Sequence, residues 1–349
     1  MTFSNPQPAR GPARGARPFR NTQLTAALAI ALVMPLPALA QSSSNENDTA
    51  QEQQGPIILP TVMVTGRKAE ATTEGSQSYT TSETAAATRL PLSLRETPQS
   101  VTVVTRQRMA DQQLNSVQDA LESTTGISSH TLDSDRVSFY SRGFSIDSFQ
   151  YDGIPTTFLE GASFLDTAFY DRIEVVRGAT GLLTGAGNPG ASVNLLRKRP
   201  TKEFSASASL SAGSWDNYRG MADISTPLTM DGRIRARLVG VYQDRDSYID
   251  LYQQKKKAIY GVIDADLTPD TTLSLGFDYQ DIKPKGTTWG GVPLWFSDGT
   301  PTDRPRSKTL AAEWNRWDNT IKTAFANLEH RFDNGWTFRA AFQPTTHRL

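Results

Sequence analysis

The triplet Gly185-x-Gly187-x-x-Gly190 has the spacing of a dinucleotide-binding loop. In such loops a strand precedes the glycines and a helix follows them. Here the strand-like run Asn194-Leu195-Leu196 follows instead, and Pro200 ends the unit within ten residues. We therefore interpret these glycines as residues that permit tight turns in a compact domain, and not as a nucleotide site.

Residue types that commonly carry catalysis or bind metals are scarce in the chain. It contains no Cys and 3 His, which excludes disulfide scaffolds, zinc ribbons, thiolate clusters and cysteine nucleophiles. No Ser-His-Asp set and no paired carboxylates indicate an active site. We expect neither an enzyme nor a bound metal or cofactor. The formal net charge of zero gives no basic surface for nucleic acid.

The first 40 residues have the pattern of a cleaved secretory signal peptide. Residues 1–20 carry four Arg and no acid, residues 24–34 are apolar, and Ala38-Leu39-Ala40 is a small-residue cleavage site. The alternative, a membrane-anchor helix, needs roughly 20 apolar residues. An exported chain without Cys suits the periplasm or the outer membrane of a Gram-negative bacterium.

Residues 41–89 are rich in Gln, Ser, Thr, Glu and Asp, which predicts a disordered N-terminal segment. An apolar island at 57–66 alternates like a strand but has no local partner. Such a segment on a flexible tether is a candidate for adding a strand to the sheet of another protein. The alternative is that it forms the first strand of the following domain.

Residues 90–200 predict a compact domain of mixed α/β structure. Strand-like runs lie at 100–105, 136–144, 172–177 and 191–196, and we expect 148–151 to pair with 136–144. Apolar residues at helical spacing predict one helix from 106 to 123, with Gly126 after its end.

From residue 201 to 349 apolar and polar residues alternate with period two, which predicts β-strands that are apolar on one face only. We predict about seven strands, at 204–213, 217–226, 232–245, 257–268, 271–281, 320–332 and 336–343. A soluble sandwich can share this pattern. Strands of roughly ten or more residues, with aromatics at their ends, favour a membrane β-barrel.

The connections between these strands support the membrane barrel. They are tight at 226–231, 268–270 and 333–335 and long at 244–256 and 282–319. Outer-membrane barrels likewise have short periplasmic turns and long outer loops. Seven strands cannot close such a barrel, and residues 344–349 break the alternation. We therefore expect the chain to be a fragment, or the product of a frameshifted reading frame, that would not function by itself.

Several motifs resemble those of the TonB-dependent outer-membrane receptors, most closely their ferric-siderophore branch. They are the box-like Leu59-Pro60-Thr61-Val62-Met63-Val64-Thr65-Gly66, the plug-like Arg95-Glu96-Thr97-Pro98-Gln99-Ser100, the pair Ser141-Arg142-Gly143-Phe144 and Tyr151-Asp152-Gly153, and the run from Asp171 through Arg177-Gly178-Ala179-Thr180-Gly181 to Pro200. The likeness extends from Leu59 to about Ala341. It implies an antiparallel membrane β-barrel of about 22 strands in the family, of which about seven are present here, with an N-terminal mixed α/β plug at 90–200 and the first part of the barrel at 201–349.

The resemblance implies a site for a ferric siderophore, a polar chelate that aromatic rings can pack against and that Arg can bond. Arg142 and Tyr151 match motif positions at the plug apex, and Phe158 and Phe164 are candidates by proximity. Trp289 and Trp295 lie in a loop segment similar to that of the siderophore branch. The alternative for each aromatic residue is that it only packs its own loop.

The resemblance also implies partners and an energy source. The box residues Leu59, Pro60, Thr61, Val62, Met63, Val64 and Thr65 would bind TonB, which brings energy from an inner-membrane complex. Arg172, Glu174 and Arg177 would bond the plug to charges on the barrel wall, which faces outer-membrane lipid. The rival functions are a TonB-dependent receptor for haem, cobalamin or a saccharide, a passive porin or adhesin, and a secreted soluble β-protein.

Overall fold

The computed structural model describes residues 72–88, 90–156, 162–179 and 187–348. The predicted signal peptide, the box at 59–66, Phe158 and Gly185 lie outside the described residues. Within the described ranges, no helix has the length and apolar character needed to cross a membrane.

The N-terminal part of the structure, residues 72–200, is a small mixed α/β domain that we call the plug. A five-stranded sheet in the order β3-β9-β10-β7-β8 forms its centre, beside a three-stranded sheet β4-β5-β6 and a hairpin β1-β2. The plug elements are β1 Glu83–Thr84, β2 Leu92–Ser93, β3 Ser100–Thr105, α1 Arg106–Asp111, α2 Val117–Glu122, β4 Ser128–Thr131, β5 Val137–Ser141, β6 Phe144–Ser145, β7 Ser148–Tyr151, β8 Ile154–Thr156, 3-10 turns at Ala162–Phe164 and Thr167–Phe169, β9 Tyr170–Arg177 and β10 Ala191–Arg197.

The single helix predicted at 106–123 is wrong, because the chain forms two short helices there. Helix α1 ends at Asp111, and Gln113 then takes a positive φ of 52°. Ser116 starts α2 with a capping box, in which its side chain accepts from the Asp119 backbone amide while the Asp119 carboxylate accepts from the Ser116 amide. Such a cap satisfies two amides that would otherwise lack partners, and so fixes a new helix start.

The predicted pairing of 148–151 with 136–144 is also wrong. Strand β5 turns back at Arg142 and Gly143, both with positive φ, and pairs with β6. Strand β7 instead runs parallel to β10 and antiparallel to β8. Gly190 lies where β10 begins, and a Cβ there would meet the carbonyl oxygens of Phe144 and Ser145 at 2.9 Å.

The second part of the structure is an antiparallel sheet that we call the wall. Its first seven strands pair in sequence order, and an eighth, β18, pairs with β16. The first seven match the seven predicted strands closely. The wall strands are β11 Ser205–Gly213, β12 Asn217–Pro227, β13 Ile234–Asp246, β14 Gln253–Thr268, β15 Thr271–Lys285, β16 Asn319–Arg331, β17 Thr337–Phe342 and β18 Thr345–Arg348.

The break in alternation predicted at 344–349 is a local interruption and not the end of the strand. Strand β17 pairs with β16 as far as Phe342 opposite Ala326. After Gln343 and Pro344, β18 resumes pairing with the same strand, with Thr345 opposite Thr323. Proline has no amide to donate, so it interrupts the ladder at an edge strand without removing that strand.

The two faces of the wall differ in the way that the alternation predicts. On β13, Leu238 and Tyr242 are exposed, whereas Val239 and Val241 between them and Arg237 before them are buried. The buried face packs on the plug: the Tyr260 ring stacks on Phe169 of the plug at 5.5 Å between centroids. The wall is therefore a partial barrel that has the plug against its inner face.

The predicted disorder of residues 41–89 does not hold for residues 72–88. Thr73 and Thr84 are buried, and the Thr73 amide donates to the Asp171 carboxylate at 3.0 Å. These residues are polar, but hydrogen bonds to the rest of the plug hold them in place, and sequence hydrophobicity does not register such bonds.

Candidate functional site

Asp166 joins the plug to three wall strands. Arg219 of β12 donates to both carboxylate oxygens of Asp166 at 2.7 Å, Lys256 of β14 lies 3.5 Å away, and the Asp166 amide donates to Gln280 of β15. All four side chains are buried. A buried carboxylate needs charged partners and hydrogen bonds of this kind. Asp166 therefore anchors the plug to the wall.

A second charged cluster lies toward the tight-turn end of the wall. Arg237 of β13 donates to Glu74 at 2.5 and 2.6 Å and to Asp223 of β12 at 2.7 and 2.8 Å. Lys198, at the end of the plug, donates to Asp223 at 2.8 Å. Glu74 belongs to the first described segment of the chain, so this cluster ties that segment to the wall.

The same N-terminal segment is also bound to the rest of the plug. The Asp171 carboxylate accepts from the Thr72 hydroxyl at 2.7 Å and from the Thr73 and Glu74 amides at 3.0 and 2.8 Å. We call residues 72–74, held between Asp171 and Arg237, the latch. Charge-assisted bonds of this kind are about twice as strong as neutral ones.

Arg197 makes a third connection between plug and wall. Its guanidinium lies between the ring of Tyr151 in the plug, at 4.2 Å, and the ring of Phe325 in β16, at 4.3 Å. It also pairs with Asp152 at 2.7 Å. The Phe325 ring covers Gly276 of β15, where a Cβ would overlap it. A stacked arginine adds cation–π attraction to its charge pair.

An aromatic cluster lies at the opposite, long-loop end of the wall. The Trp289 and Trp317 rings stack at 4.8 Å, and the guanidinium of Arg136 lies 4.0 Å from the Trp289 ring centroid and 5.3 Å from that of Trp317. Asp133 fixes Arg136 through an ion pair of 2.6 Å. Trp289 is nevertheless 76% exposed, so its ring offers surface to a ligand.

Two further bonds attach the plug loop 133–136 to the long loops. Asp135 accepts from the Tyr252 hydroxyl at 2.8 Å, and the Thr288 amide donates to the Ser134 hydroxyl at 2.9 Å. Burial raises the pKa of Asp135, while its bonds from Ser134 and Tyr252 oppose the increase. The aromatic cluster is thus mechanically connected to the plug.

The plug matches a known domain family. Residues 93–192 match the model of the TonB-dependent Receptor Plug Domain. The chain belongs to the TonB-dependent receptors. Members of this family are outer-membrane β-barrels that contain a plug, which agrees with the partial barrel and plug described above.

Two curated relatives and two solved structures show which receptors this chain is similar to. It is 50% identical over 293 residues to the ferripyoverdine receptor of Pseudomonas aeruginosa, covering 82% of this chain and 36% of the relative, and 43% identical to the ferric-pyoverdine 358 receptor of Pseudomonas putida, covering 84% and 36%. The crystal structure of the P. aeruginosa receptor bound to ferripyoverdine matches with a TM-score of 0.76 and 50% identity, over 78% of this chain and 37% of that one. The alcaligin receptor of Bordetella pertussis matches with a TM-score of 0.67 and 44% identity, over 79% and 44%. The chain therefore spans about 36% of the length of these curated relatives.

The ligand residues predicted from sequence lie in different environments in the receptor. Trp289 and Trp295 are exposed in the long loop, at 76% and 62%, and Arg142 is exposed at a turn of the plug. Tyr151 and Phe164 are buried, and Tyr151 packs against Arg197. For these two residues we favour a packing role over ligand contact. The ligand roles of Arg142, Trp289 and Trp295 remain predictions.

The charges predicted to hold the plug in the receptor bond within the plug. Arg172 pairs with Glu174 at 2.9 Å and with Asp171 at 3.0 Å. Arg177 donates to the Ser100 hydroxyl at 2.7 Å and to the Thr125 carbonyl. That Arg172, Glu174 and Arg177 bond to the wall remains a prediction. In the structure, other plug residues contact the wall, among them Glu74, Asp166, Arg197 and Lys198.

Sequence reasoning missed Asp166, Glu74, Arg136 and Trp317. One signal was available for their wall partners: Arg219, Arg237 and Lys256 are charged residues on the strand face opposite the apolar one, where a barrel interior would lie. No comparable signal marks the plug residues, because they lie in loops without periodicity.

We expect Glu74→Gln to loosen the latch. Glu74 is about a third exposed, so after discounting for solvent the change should cost about 1 kcal/mol of local stability. Amide hydrogen exchange at residues 72–76 should then become roughly fivefold faster. Glu203→Gln, an exposed residue elsewhere, is the matched control. Unchanged exchange in Glu74→Gln would show that the contact with Arg237 does not hold the segment.

Proposed function

We propose that this chain is part of an outer-membrane receptor that binds a ferric siderophore of the pyoverdine class and imports it with energy delivered by TonB. The observation that carries this proposal is the Arg136–Trp289–Trp317 cluster at the long-loop end, which is attached to the plug. Support for the ligand class comes from relatives whose names specify ferric pyoverdine.

The chemistry of the cluster suits a ferric siderophore. Flat aromatic groups of a chelate can stack on the exposed Trp289 ring. The Arg136 guanidinium carries a fixed positive charge that can bond exposed oxygens of an anionic chelate. Because Asp133, Trp289 and Trp317 already hold Arg136, binding immobilises few side chains.

The energised step requires a path from the box to the plug. The box predicted at 59–66 precedes the latch by only a few residues, so a pull on the box reaches Thr72, Thr73 and Glu74 first. At these residues the pulling force acts on two sets of contacts, those with Asp171 of the plug and those with Arg237 of the wall. Separation of Glu74 from Arg237 frees the segment from the wall, while Asp171 continues to transmit the pull to β9.

We expect Trp289→Ala to weaken binding of ferric pyoverdine by at least about tenfold, which corresponds to about 1.4 kcal/mol. The variant loses the exposed stacking surface and one face of the Arg136 contact. Tryptophan fluorescence titration of the receptor that carries this chain provides the measurement. Trp314→Ala, an 80% exposed residue of the same loop, is the matched control and should bind normally.

The same titration with haem and with cobalamin tests the rival ligands. The proposal expects ferric pyoverdine to bind far more tightly than either of them. Tighter binding of haem or cobalamin, or equal affinity of Trp289→Ala and the unmodified receptor for ferric pyoverdine, would contradict the proposal.

A further inference from the structure

A cavity of about 390 Å³ lies at the long-loop end of the wall. It is formed where the turn between β11 and β12, the loop between β13 and β14 and the long loop after β15 meet. Its lining includes three aromatic residues, two carboxylates and one hydroxyl: Trp215, Tyr248, Tyr252, Asp246, Asp250 and Ser307. This volume is at the lower end of the range for small-molecule pockets, so the cavity has room for one side group of a larger ligand.

The backbone around the cavity is held by bonds between the loops. The Asp246 amide donates to the Trp215 carbonyl and the Asp250 amide to the Ser307 carbonyl, both at 2.8 Å. Gly286, at the start of the long loop, has a φ of 64°, and a Cβ there would overlap backbone atoms of the loop between β13 and β14. Glycine therefore allows these two loops to approach closely. Side chains presented from such a fixed backbone lose little entropy when a ligand binds.

The aromatic walls of the cavity suit a positively charged group. The guanidinium of Arg306, in the long loop, already lies 4.5 Å from the ring centroid of Tyr248, so this wall accepts an organic cation. The Trp215 ring is inclined by 63° to that of Tyr248, with 6.4 Å between centroids, and Trp215 is 58% exposed. Tryptophan attracts cations more strongly than the other aromatic side chains. Trp215 therefore leaves ring surface for a cation that comes from outside.

The two lining carboxylates are not neutralised by the chain itself. Among the residues that the structure describes, no ammonium or guanidinium group lies within 4.0 Å of Asp246 or Asp250. Asp216 and Asp244 act on Asp246 as neighbouring like charges, and Lys255 acts on it as the opposite charge, but Lys255 pairs with Asp244 at 2.9 Å. Because like charges repel, a cation that enters the cavity is stabilised by Asp246 and Asp250 together.

The cavity and the aromatic cluster are built on the same loops. Tyr252, which lines the cavity, donates to the Asp135 carboxylate at 2.8 Å, and Asp135 precedes Arg136 in the plug loop. The long loop that closes one side of the cavity also carries Trp289 and Trp317. The two sites differ in charge, since the cluster presents a guanidinium and the cavity presents carboxylates. They therefore match a ligand that has an anionic chelate and a cationic side group.

We propose that this cavity binds an ammonium or guanidinium group of the siderophore whose ferric chelate binds at the Arg136–Trp289–Trp317 cluster. The inference rests on the proposed function and extends it to a second part of the ligand. Asp246 and Asp250 compensate the positive charge, while the Trp215 ring packs against the cation. The receptor consequently selects siderophores with a positive side group over those in which this group is neutral.

Ferric pyoverdine with a free amino group in its side chain, and the same compound after acetylation of that group, test the proposal. We expect the unmodified receptor that carries this chain to bind the amino form about tenfold more tightly. In the double variant Asp246→Asn, Asp250→Asn the two affinities should become equal. The control Asp303→Asn, Glu313→Gln removes two exposed charges of the long loop outside the cavity and should keep the preference. Equal affinities in the unmodified receptor, or an undiminished preference in the cavity variant, would overturn the proposal.

A second arm tests the cavity of the unmodified receptor without a siderophore. Fluorotryptophan is incorporated, and the fluorine resonance of Trp215 is identified by its loss in Trp215→Phe. N-acetylarginine amide should shift this resonance, and the uncharged N-acetylcitrulline amide should not. Equal shifts by both compounds, or no shift by either, would show that the cavity does not recognise a cation. A receptor that binds neither form of ferric pyoverdine refutes the proposed function, whereas a shift by the arginine compound alone still supports a cation site in the cavity.

Discussion

Proline in place of Val62 or Val64 is expected to reduce uptake of the ferric siderophore to background while its binding stays unchanged. These residues lie in the predicted TonB box. If the box adds a strand to a TonB sheet, proline removes one of the backbone donors that the added strand needs. The outer membrane has no energy source of its own, so loss of this contact stops transport without disturbing the site at the other end of the plug.

Uptake and binding of the iron-loaded siderophore are both measured in whole cells that express the receptor carrying this chain. Ser43→Pro is the control, because it places proline in the same polar segment outside the box and should transport normally. Full uptake by both box variants would refute the assignment of residues 59–66. Lost binding would instead indicate a damaged receptor.

Asp166→Asn is expected to produce a large loss of stability in the plug. It removes the negative charge that Arg219 and Lys256 share, and all three side chains are buried. Breaking a buried ion pair from one side costs about 3–5 kcal/mol, because the remaining charges are left uncompensated. Urea unfolding of the plug, followed by hydrogen exchange at residues 162–179, measures the change.

The control for Asp166→Asn is Asp231→Asn, which removes an exposed ion pair with Arg233 in a turn of the wall. Exposed pairs contribute little, so no measurable change is expected. A second comparison replaces Asp166, Arg219 and Lys256 together by apolar residues of similar size. This variant should recover much of the loss. Wild-type stability in the single variant Asp166→Asn would show that Asp166 does not anchor the plug to the wall.

The Asp166 carboxylate should also make the stability of the plug depend on pH in the acid range. Burial alone would raise the pKa of Asp166, but the positive charges of Lys256 and Arg219 outweigh it and lower the pKa from 3.8 to about 2. A group whose pKa is lower in the folded state stabilises it above the unfolded value. The contribution of Asp166 is therefore complete above pH 3.8 and is lost as the pH falls through about 2.

The wall could be predicted from sequence because its pattern is local. In a strand whose two faces meet different environments, polar and apolar residues alternate with a period of two. Runs such as 204–213 and 271–281 can therefore be recognised as strands from the sequence. Their real limits differ mainly at the long-loop end, where β14 begins at Gln253 and β15 extends to Lys285. Cross-strand pairing extends these ends, and the added residues are mostly lysines and glutamines, which hydrophobicity does not mark.

The plug was predicted less well, because its elements are short and its pairing is not local. The capping box at Ser116 divides the expected helix, and β7 finds its partner β10 about 40 residues away. Capping and long-range pairing depend on the positions of a few atoms and leave no periodic trace in the sequence.

The sequence by itself determined that the chain has a plug and a wall of alternating strands, because each is a motif or a repeat along the chain; the box at residues 59–66 remains a prediction. Tertiary structure alone decided which charges hold the parts together. Asp166 meets Arg219 and Lys256, and Glu74 meets Arg237, across 53 to 163 residues of chain. Such pairs form because burial makes an uncompensated charge costly, and burial exists only after the plug packs against the wall.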